Sequence, residues 1–242
     1  MCIRDRIGRA RFWTPLRAII AVAYIFLSFG ALQKSRCAGG KLDDNGIMQL
    51  NWDGNRQFVA ACYNDIIPLY GARGLDQPGF VYAYSWVEDD LTRYMEYPVL
   101  AGLFQQLSAW IARGTYFLTD SFLPESGWYF YVTALLLSII WVITIRMVAE
   151  LAGNRIWDTL LVAGSPLLIV HAFTNWDIPS IFFAVAAMLA ARNRKWWLAG
   201  VLVGLGTAFK LWPLFILGAY LTVAIRKLSL IHISEPTRRY AI

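Results

Sequence analysis

Trp128–Ile145 reads WYFYVTALLLSIIWVITI, 18 consecutive residues without a carboxylate, amine or guanidinium. An α-helix advances about 1.5 Å per residue and a bilayer core is about 30 Å thick, so such a run has nearly the length of a crossing. It is also apolar on every face, which suits lipid or a deep core and no water-washed surface. Ala18–Leu32, Leu160–Phe173 and Ile181–Ala191 repeat the pattern on either side. The whole chain is 58% hydrophobic and 16% charged, against about 45–50% and about 25% for soluble domains. The expected fold class is all-α, a polytopic helical membrane protein.

Lys and Arg collect on the cytoplasmic side of short loops. Arg9, Arg11 and Arg17 precede the first span, placed at about 17–33, which assigns the N-terminus to the cytoplasm. Residues 34–97 then form a long extracytoplasmic first loop, and the remaining spans occupy about 98–227. Arg192, Arg194 and Lys195 are placed inside, as are Arg226 and Lys227; the turn Thr174–Asp177 and Lys210 therefore face outward. One segment breaks the alternation. With Arg146 and Arg155 inside, Pro98–Ala112 starts and ends outside, and its Gln105, Gln106 and Ser108 suit a re-entrant or interface-lying helix. The alternative is a full crossing with an extra short span near 114–126 or 157–173. Within the loop, the spacing over Gln57–Leu69 predicts a helix.

Both termini read as foreign. Met1–Asp5 and Leu228–Ile233 are encodable by one short DNA element read on opposite strands, which resembles a sequencing-adapter remnant; Ser234–Arg238 continues it. Residues 1–6 and 228–242 are accordingly expected to be scars around a natural fragment, residues 7–227, the alternative being a natural leader and basic tail. Each scar carries a net charge of +1, so the formal +6 falls to +4. A surplus that small gives no reason to expect a nucleic-acid partner. Removing the scars also leaves Cys37, Cys62 and His171 as the only cysteines and histidine. If both cysteines lie outside the cytoplasm, they are expected to pair; two free buried thiols are the alternative.

Four stretches carry chemistry. Asp65, in CYNDIIPLY, has Tyr63 and Asn64 before it and apolar residues after it. A carboxylate in such surroundings is desolvated and suits a general base, while a helix cap is the structural alternative. Glu96, before Tyr97-Pro98, suits either a helix start or an entrance that binds a cation or a sugar hydroxyl. Asn175-Trp176-Asp177 forms a short outer turn in which Asp177 caps a helix or serves a site at membrane depth, with His171 one turn earlier. Gly206–Pro213 (GTAFKLWP) predicts a helix break at the outer boundary, where Lys210 and freed backbone N–H groups suit a phosphate. A lysine snorkelling to headgroups explains Lys210 equally well. The retained chain has no dinucleotide fingerprint, phosphate loop, HExxH or cysteine metal cluster. No cofactor and no metal are expected.

ACYNDI (61–66), EYPVL (96–100), NWD (175–177) and GTAFKLWP (206–213), in that order, resemble glycosyltransferase family 87. The resemblance covers about residues 13–227. It implies a multi-span GT-C-like fold, as in the actinobacterial mannosyltransferases that draw on polyprenyl-phosphate mannose in the outer leaflet. It further implies that a loop acid, here Asp65, is the base on the acceptor hydroxyl, with inversion at the transferred sugar. Lys210 is then expected to hold the lipid phosphate and Asp177 to shape the cavity. Glu96, Asn175 and Tyr63 complete the expected substrate-binding set. Expected partners are a polyprenyl-phosphate sugar, a lipid or glycan acceptor and membrane lipid. Phe209 stands where the family has a small residue, an aromatic stands at Trp212, and family members run longer. Two other readings compete: a transporter or flippase using Asp177 and Lys210 as a pathway, and a non-catalytic envelope scaffold.

Overall fold

The computed structural model describes residues 12–44, 46–120 and 122–234, with side chains as far as residue 226. The expected scar at 1–6, residues 235–242 of the other, and Arg9 and Arg11 lie outside the described residues.

Helix α1 spans Pro15–Ser35, opened by Thr14, whose hydroxyl accepts from the Arg17 amide, and by Pro15, whose fixed φ suits a first turn. The loop that follows folds on itself. Strands β1 (Gly40–Leu42) and β2 (Met48–Leu50) pair antiparallel, then come the short helices α2 (Arg56–Val59) and α3 (Ile66–Ala72). A second antiparallel hairpin joins β3 (Ser85–Glu88) to β4 (Leu91–Tyr94) through Asp89 and Asp90, both at positive φ. Helices α4 (Val99–Thr115) and α5 (Glu125–Ala152) follow, the latter carrying the opening stretch. Short α6 (Leu160–Ala163) and α7 (Pro166–His171) lead to α8 (Ile178–Arg192), α9 (Trp196–Phe209) and α10 (Ile216–Ser234).

The chain is mostly helical, with two small hairpins in the first loop beyond the all-α expectation. The predicted helix over Gln57–Leu69 is instead two helices. Ala61 sits at φ +52° and Cys62 is held by a disulfide to Cys37, so the chain cannot continue helically between them. Pro15–Ser35 and Glu125–Ala163 are long and apolar enough to cross a membrane. Ile178–Arg192 and Trp196–Phe209 are apolar but only 15 and 14 residues long. Chain breaks before Ile178 and at Lys210 set those lengths.

Small residues line the contact between α8 and α9, whereas Tyr129, Phe130, Leu137 and Trp141 of α5 fill the interior and other large apolar side chains stay outside. Ala184, Ala187 and Ala190 of α8 and Ala199, Val203 and Gly206 of α9 are buried along the antiparallel α8–α9 hairpin. Tyr24, Ile25, Phe29 and Leu32 of α1 and Leu135, Ile139 and Ile143 of α5 are exposed. Small residues let helices approach closely where lipid, not water, is the solvent. The loop-side ends of the helices are fixed by contacts. A Cβ at Gly127 would strike the Ala38 carbonyl, so the start of α5 meets the end of α1. At the far end, Arg192 donates to the Glu150 carbonyl.

Helix α4 lies along the loop for its whole length. Tyr82 donates to the Tyr97 and Pro98 carbonyls at its start, Gln106 donates to the Gly79 carbonyl at its middle, and Arg113 donates to the Gln77 carbonyl near its end. Both of its ends therefore touch the loop. Its sidedness is inverted: Ala101, Gly102, Gln105, Gln106, Ser108 and Ala109 are buried, whereas Val99, Leu103, Leu107, Trp110 and Ile111 are exposed.

Candidate active site

The site begins where the loop is most tightly held. Cys37 and Cys62 form a disulfide. Gln33 donates to the Ala61 carbonyl at 3.0 Å, Lys34 Nζ to the Tyr63 carbonyl at 2.6 Å, and Trp52 Nε1 to the Cys37 carbonyl at 3.0 Å. These bonds fix the backbone just before Asp65. Asn64, not Asp65, caps α3 with its side chain: its Oδ1 accepts from the Ile67 amide at 2.9 Å. Asp65 occupies the cap position without a capping bond, which leaves its carboxylate for other work. Tyr63 Oη donates to Asp65 Oδ1 at 2.8 Å. That bond, then burial, then the carboxylate's charge push the Tyr63 phenol above its ordinary pKa, so it stays a donor.

A backbone bond joins this half to the other. The Asp65 amide donates to the Thr174 carbonyl at 2.7 Å, docking the loop onto the turn before α8. Asp177 ends that turn. It too lacks a capping bond, and its carboxylate pairs with Lys210. Lys210 reaches it because α9 stops at Phe209 and Lys210 adopts an extended backbone (φ −152°, ψ 147°). The break predicted between Gly206 and Pro213 is therefore present, and it turns the ammonium toward the turn. Among the described residues, the buried Asn175 Oδ1 has no hydrogen-bond partner. Asp177 and His171 also border a cavity of about 390 Å³ whose other walls include Trp141, Leu161, Leu168 and Ile181.

Tyr97 went unassigned in the sequence, overshadowed by Glu96 and Pro98. Its ring meets buried Trp176 edge-on at 5.3 Å, next to Asp177. Burial pushes its phenol upward most; Asp65, Glu96 and Asp177 add to the shift, and Arg73 opposes it. Its hydroxyl thus remains protonated within the field of both Asp65 and Asp177. Lys34 was likewise missed, because a lysine at the end of a span reads as a headgroup anchor. It is 4% exposed and lies in the field of Asp65.

Glu96 is placed differently. Both of its oxygens are taken by the Arg73 guanidinium at 2.7–2.9 Å, and Arg73 also lies 4.1 Å over the Trp86 ring. This staple ties α3 to the β3–β4 hairpin and engages both Glu96 carboxylate oxygens. Among the described residues, no group of three or more His, Cys, Asp or Glu is arranged to hold a metal ion.

What comes together at the loop-side end is a carboxylate held by a phenol, a buried lysine, a second phenol and a carboxylate–ammonium pair. The profile of glycosyltransferase family 87 matches residues 94–231, more than half of the chain. The chain belongs to glycosyltransferase family 87. It is accordingly a glycosyltransferase of a membrane-associated family that uses a sugar donor and an acceptor. The family match takes in Glu96, Tyr97, Asn175, Asp177 and Lys210, whereas Lys34, Tyr63, Asp65 and the disulfide precede it. No curated protein and no solved structure matches the chain.

Proposed function

We propose that this glycosyltransferase moves a hexosyl unit, in the first instance mannosyl, from a polyprenyl-phosphate sugar to a lipid or glycan acceptor on the outer face of the membrane. The observation that carries this reading is the Asp65–Thr174 hydrogen bond, which sets an uncapped carboxylate and the Asp177–Lys210 pair at one end of the helices. Large apolar side chains on the outside of α1, α4 and α5 agree with a lipid-borne donor.

In the proposed reaction, Asp65 takes the proton of the acceptor hydroxyl as its oxygen attacks the anomeric carbon. The bond from that carbon to the phosphate oxygen breaks on the opposite face, so the configuration inverts. The bonding pair leaves with the polyprenyl phosphate. Lys210, with donors to spare beyond Asp177, stabilises the charge gathering on that phosphate. A phosphate leaving group carries no diphosphate to neutralise, so the mechanism assigns this charge stabilisation to Lys210 without a metal. The family match gives no support to a transporter.

The test is sugar transfer from radiolabelled polyprenyl-phosphate mannose in membranes that contain the chain. General-base catalysis contributes about 10²–10⁴-fold, so Asp65→Asn is expected to reduce transfer by that factor while the donor still binds. Turnover of Asp65→Asn at the wild-type rate would overturn the assignment.

A further inference from the structure

Helix α7 has two lined faces. Leu167, Leu168 and His171 border the cavity at Asp177, while Pro166, Ile169 and Val170 line a separate groove against α1. At about 100° per residue the two sets point to opposite sides of α7, so the helix stands between the groove and the Asp177–Lys210 pair. The groove has a volume of about 540 Å³, and its other wall is Phe29, Leu32, Gln33 and Arg36. It runs beside a backbone contact of the two helices: a Cβ at Gly30 would come within 3.0 Å of the Ile169 carbonyl oxygen. Phe29 is 54% and Leu32 64% exposed, so the rim is apolar and open.

Among the described residues, Arg36 is the one charged residue that lines the groove. It directly follows α1, whose 21 residues, at about 1.5 Å each, match a bilayer core about 30 Å thick. Its guanidinium therefore stands at the level of lipid headgroups. The side chain is exposed, and among the described residues it makes no hydrogen bond and no ion pair. From Arg36 back to Phe29 the groove descends about 10 Å into the apolar layer. An apolar trench beneath an unpaired guanidinium fits a phosphate joined to a hydrocarbon chain. No carboxylate lines it to receive the ammonium of a zwitterionic headgroup, so charge complementarity asks for a net negative lipid. We propose that the α1–α7 groove binds an anionic glycerophospholipid, its phosphate on Arg36 and one acyl chain between Phe29, Leu32 and Ile169. Such a lipid braces α1 against α7. Gln33, in the same wall, donates to the Ala61 carbonyl, and the chain beyond α7 reaches Thr174, whose carbonyl accepts from the Asp65 amide. The lipid thus steadies both tethers of the Asp65 segment, whatever the role of that carboxylate.

The experiment titrates the full chain in detergent with dioleoyl phosphatidylglycerol or dioleoyl phosphatidylcholine and counts lipid adducts by native mass spectrometry. Wild type is expected to hold one phosphatidylglycerol about tenfold more tightly than phosphatidylcholine, the worth of one charge-assisted contact, and to gain Tm from it. Arg36→Gln is expected to lose both the preference and the gain in Tm, and Arg36→Lys to keep part of each. Val170→Trp, which fills the groove and leaves Arg36 intact, is expected to weaken phosphatidylglycerol by a similar factor. Both side chains are exposed, so each variant should keep the wild-type Tm in lipid-free detergent. Equal binding of the two lipids by wild type would overturn the proposal, as would Arg36→Gln binding phosphatidylglycerol like wild type. So would Val170→Trp binding like wild type, because a headgroup on a surface cation needs no groove. Displacement of phosphatidylglycerol by equimolar undecaprenyl phosphate would give the groove to a polyprenyl lipid and overturn it too.

Discussion

Lys210 and Asp177 pair across the break that ends α9, and neither side chain serves the helix end beside it. Asp177 lies at the first turn of α8 without a capping bond, and Lys210 is exposed enough to take a second anion. Removing one preorganised charge-stabilising donor costs about 10²–10³-fold in turnover. Lys210→Ala is therefore expected to lose that much in kcat. Asp177→Asn is expected to lose less, and the double variant to be no worse than Lys210→Ala, since the two act as one unit. Additive losses in steady-state transfer kinetics would mean that Asp177 touches substrate by itself.

Glu96 is expected to matter for stability and not for substrate. Arg73 holds it by a fork and stacks on Trp86, so the staple fixes α3 against the second hairpin. Glu96→Gln and Arg73→Ala should each lower Tm in detergent while leaving the KM for the donor within about twofold; partly exposed ion pairs contribute about 1 kcal/mol or less. A large rise in donor KM on Glu96→Gln would restore it to the substrate-binding set.

The long helices were legible because an uncharged run admits few other fates: α1 and α5 enclose the expected spans. Gly206 and Pro213 likewise marked the break at Lys210. The loop was harder. Gln57–Leu69 has helical spacing, but a disulfide and a left-handed Ala61, both consequences of distant chain, overrule it. The four strands have only three or four residues, mostly half-buried or exposed, too short for alternation to declare itself. Asp65 and Lys210 stood out as charges among apolar neighbours. Tyr97 and Lys34 did not, because their importance lies in what faces them across the fold.

The disulfide should carry much of the loop's stability. It closes a separation of 25 residues, for which the lost freedom of the unfolded chain is about 3 kcal/mol. Cys62→Ala is expected to lower Tm and to expose residues 38–61 to limited proteolysis. Unchanged mobility of the denatured wild type on gels with and without reductant would show that the bond does not form.

The loop phenols make an alkaline limit to stability. Tyr63, Tyr70 and Tyr97 are all raised above the ordinary value: Tyr63 chiefly by donating to Asp65, Tyr70 and Tyr97 chiefly by burial. The folded loop therefore holds protons that the unfolded chain releases above about pH 10. This contribution is fully present below about pH 10 and is lost as pH rises through the folded values. Tm in detergent should fall from about pH 10 upward, less steeply for Tyr70→Phe, which also gives up its 2.9 Å bond to Glu125. A Tm curve for Tyr70→Phe parallel to wild type would remove Tyr70 from this account.

Lys34 joins stability to chemistry. Its ammonium is buried at the end of α1, donates to the Tyr63 carbonyl and lies in the field of Asp65. Lys34→Met keeps the apolar stem but leaves that carbonyl unsatisfied, at a cost of about 1–3 kcal/mol, and takes a cation from beside the proposed base. A purely structural role predicts a lower Tm with normal kinetics in the fraction still folded. A positioning role for Asp65 predicts a fall in kcat with the donor KM unchanged, because the loss is felt as the acceptor proton moves. Lys34→Arg decides between them. It restores the charge, yet its broad guanidinium does not fit the confined site of a single ammonium, so it should recover part of kcat and little of Tm. Recovery of Tm without kcat would assign Lys34 to the scaffold alone.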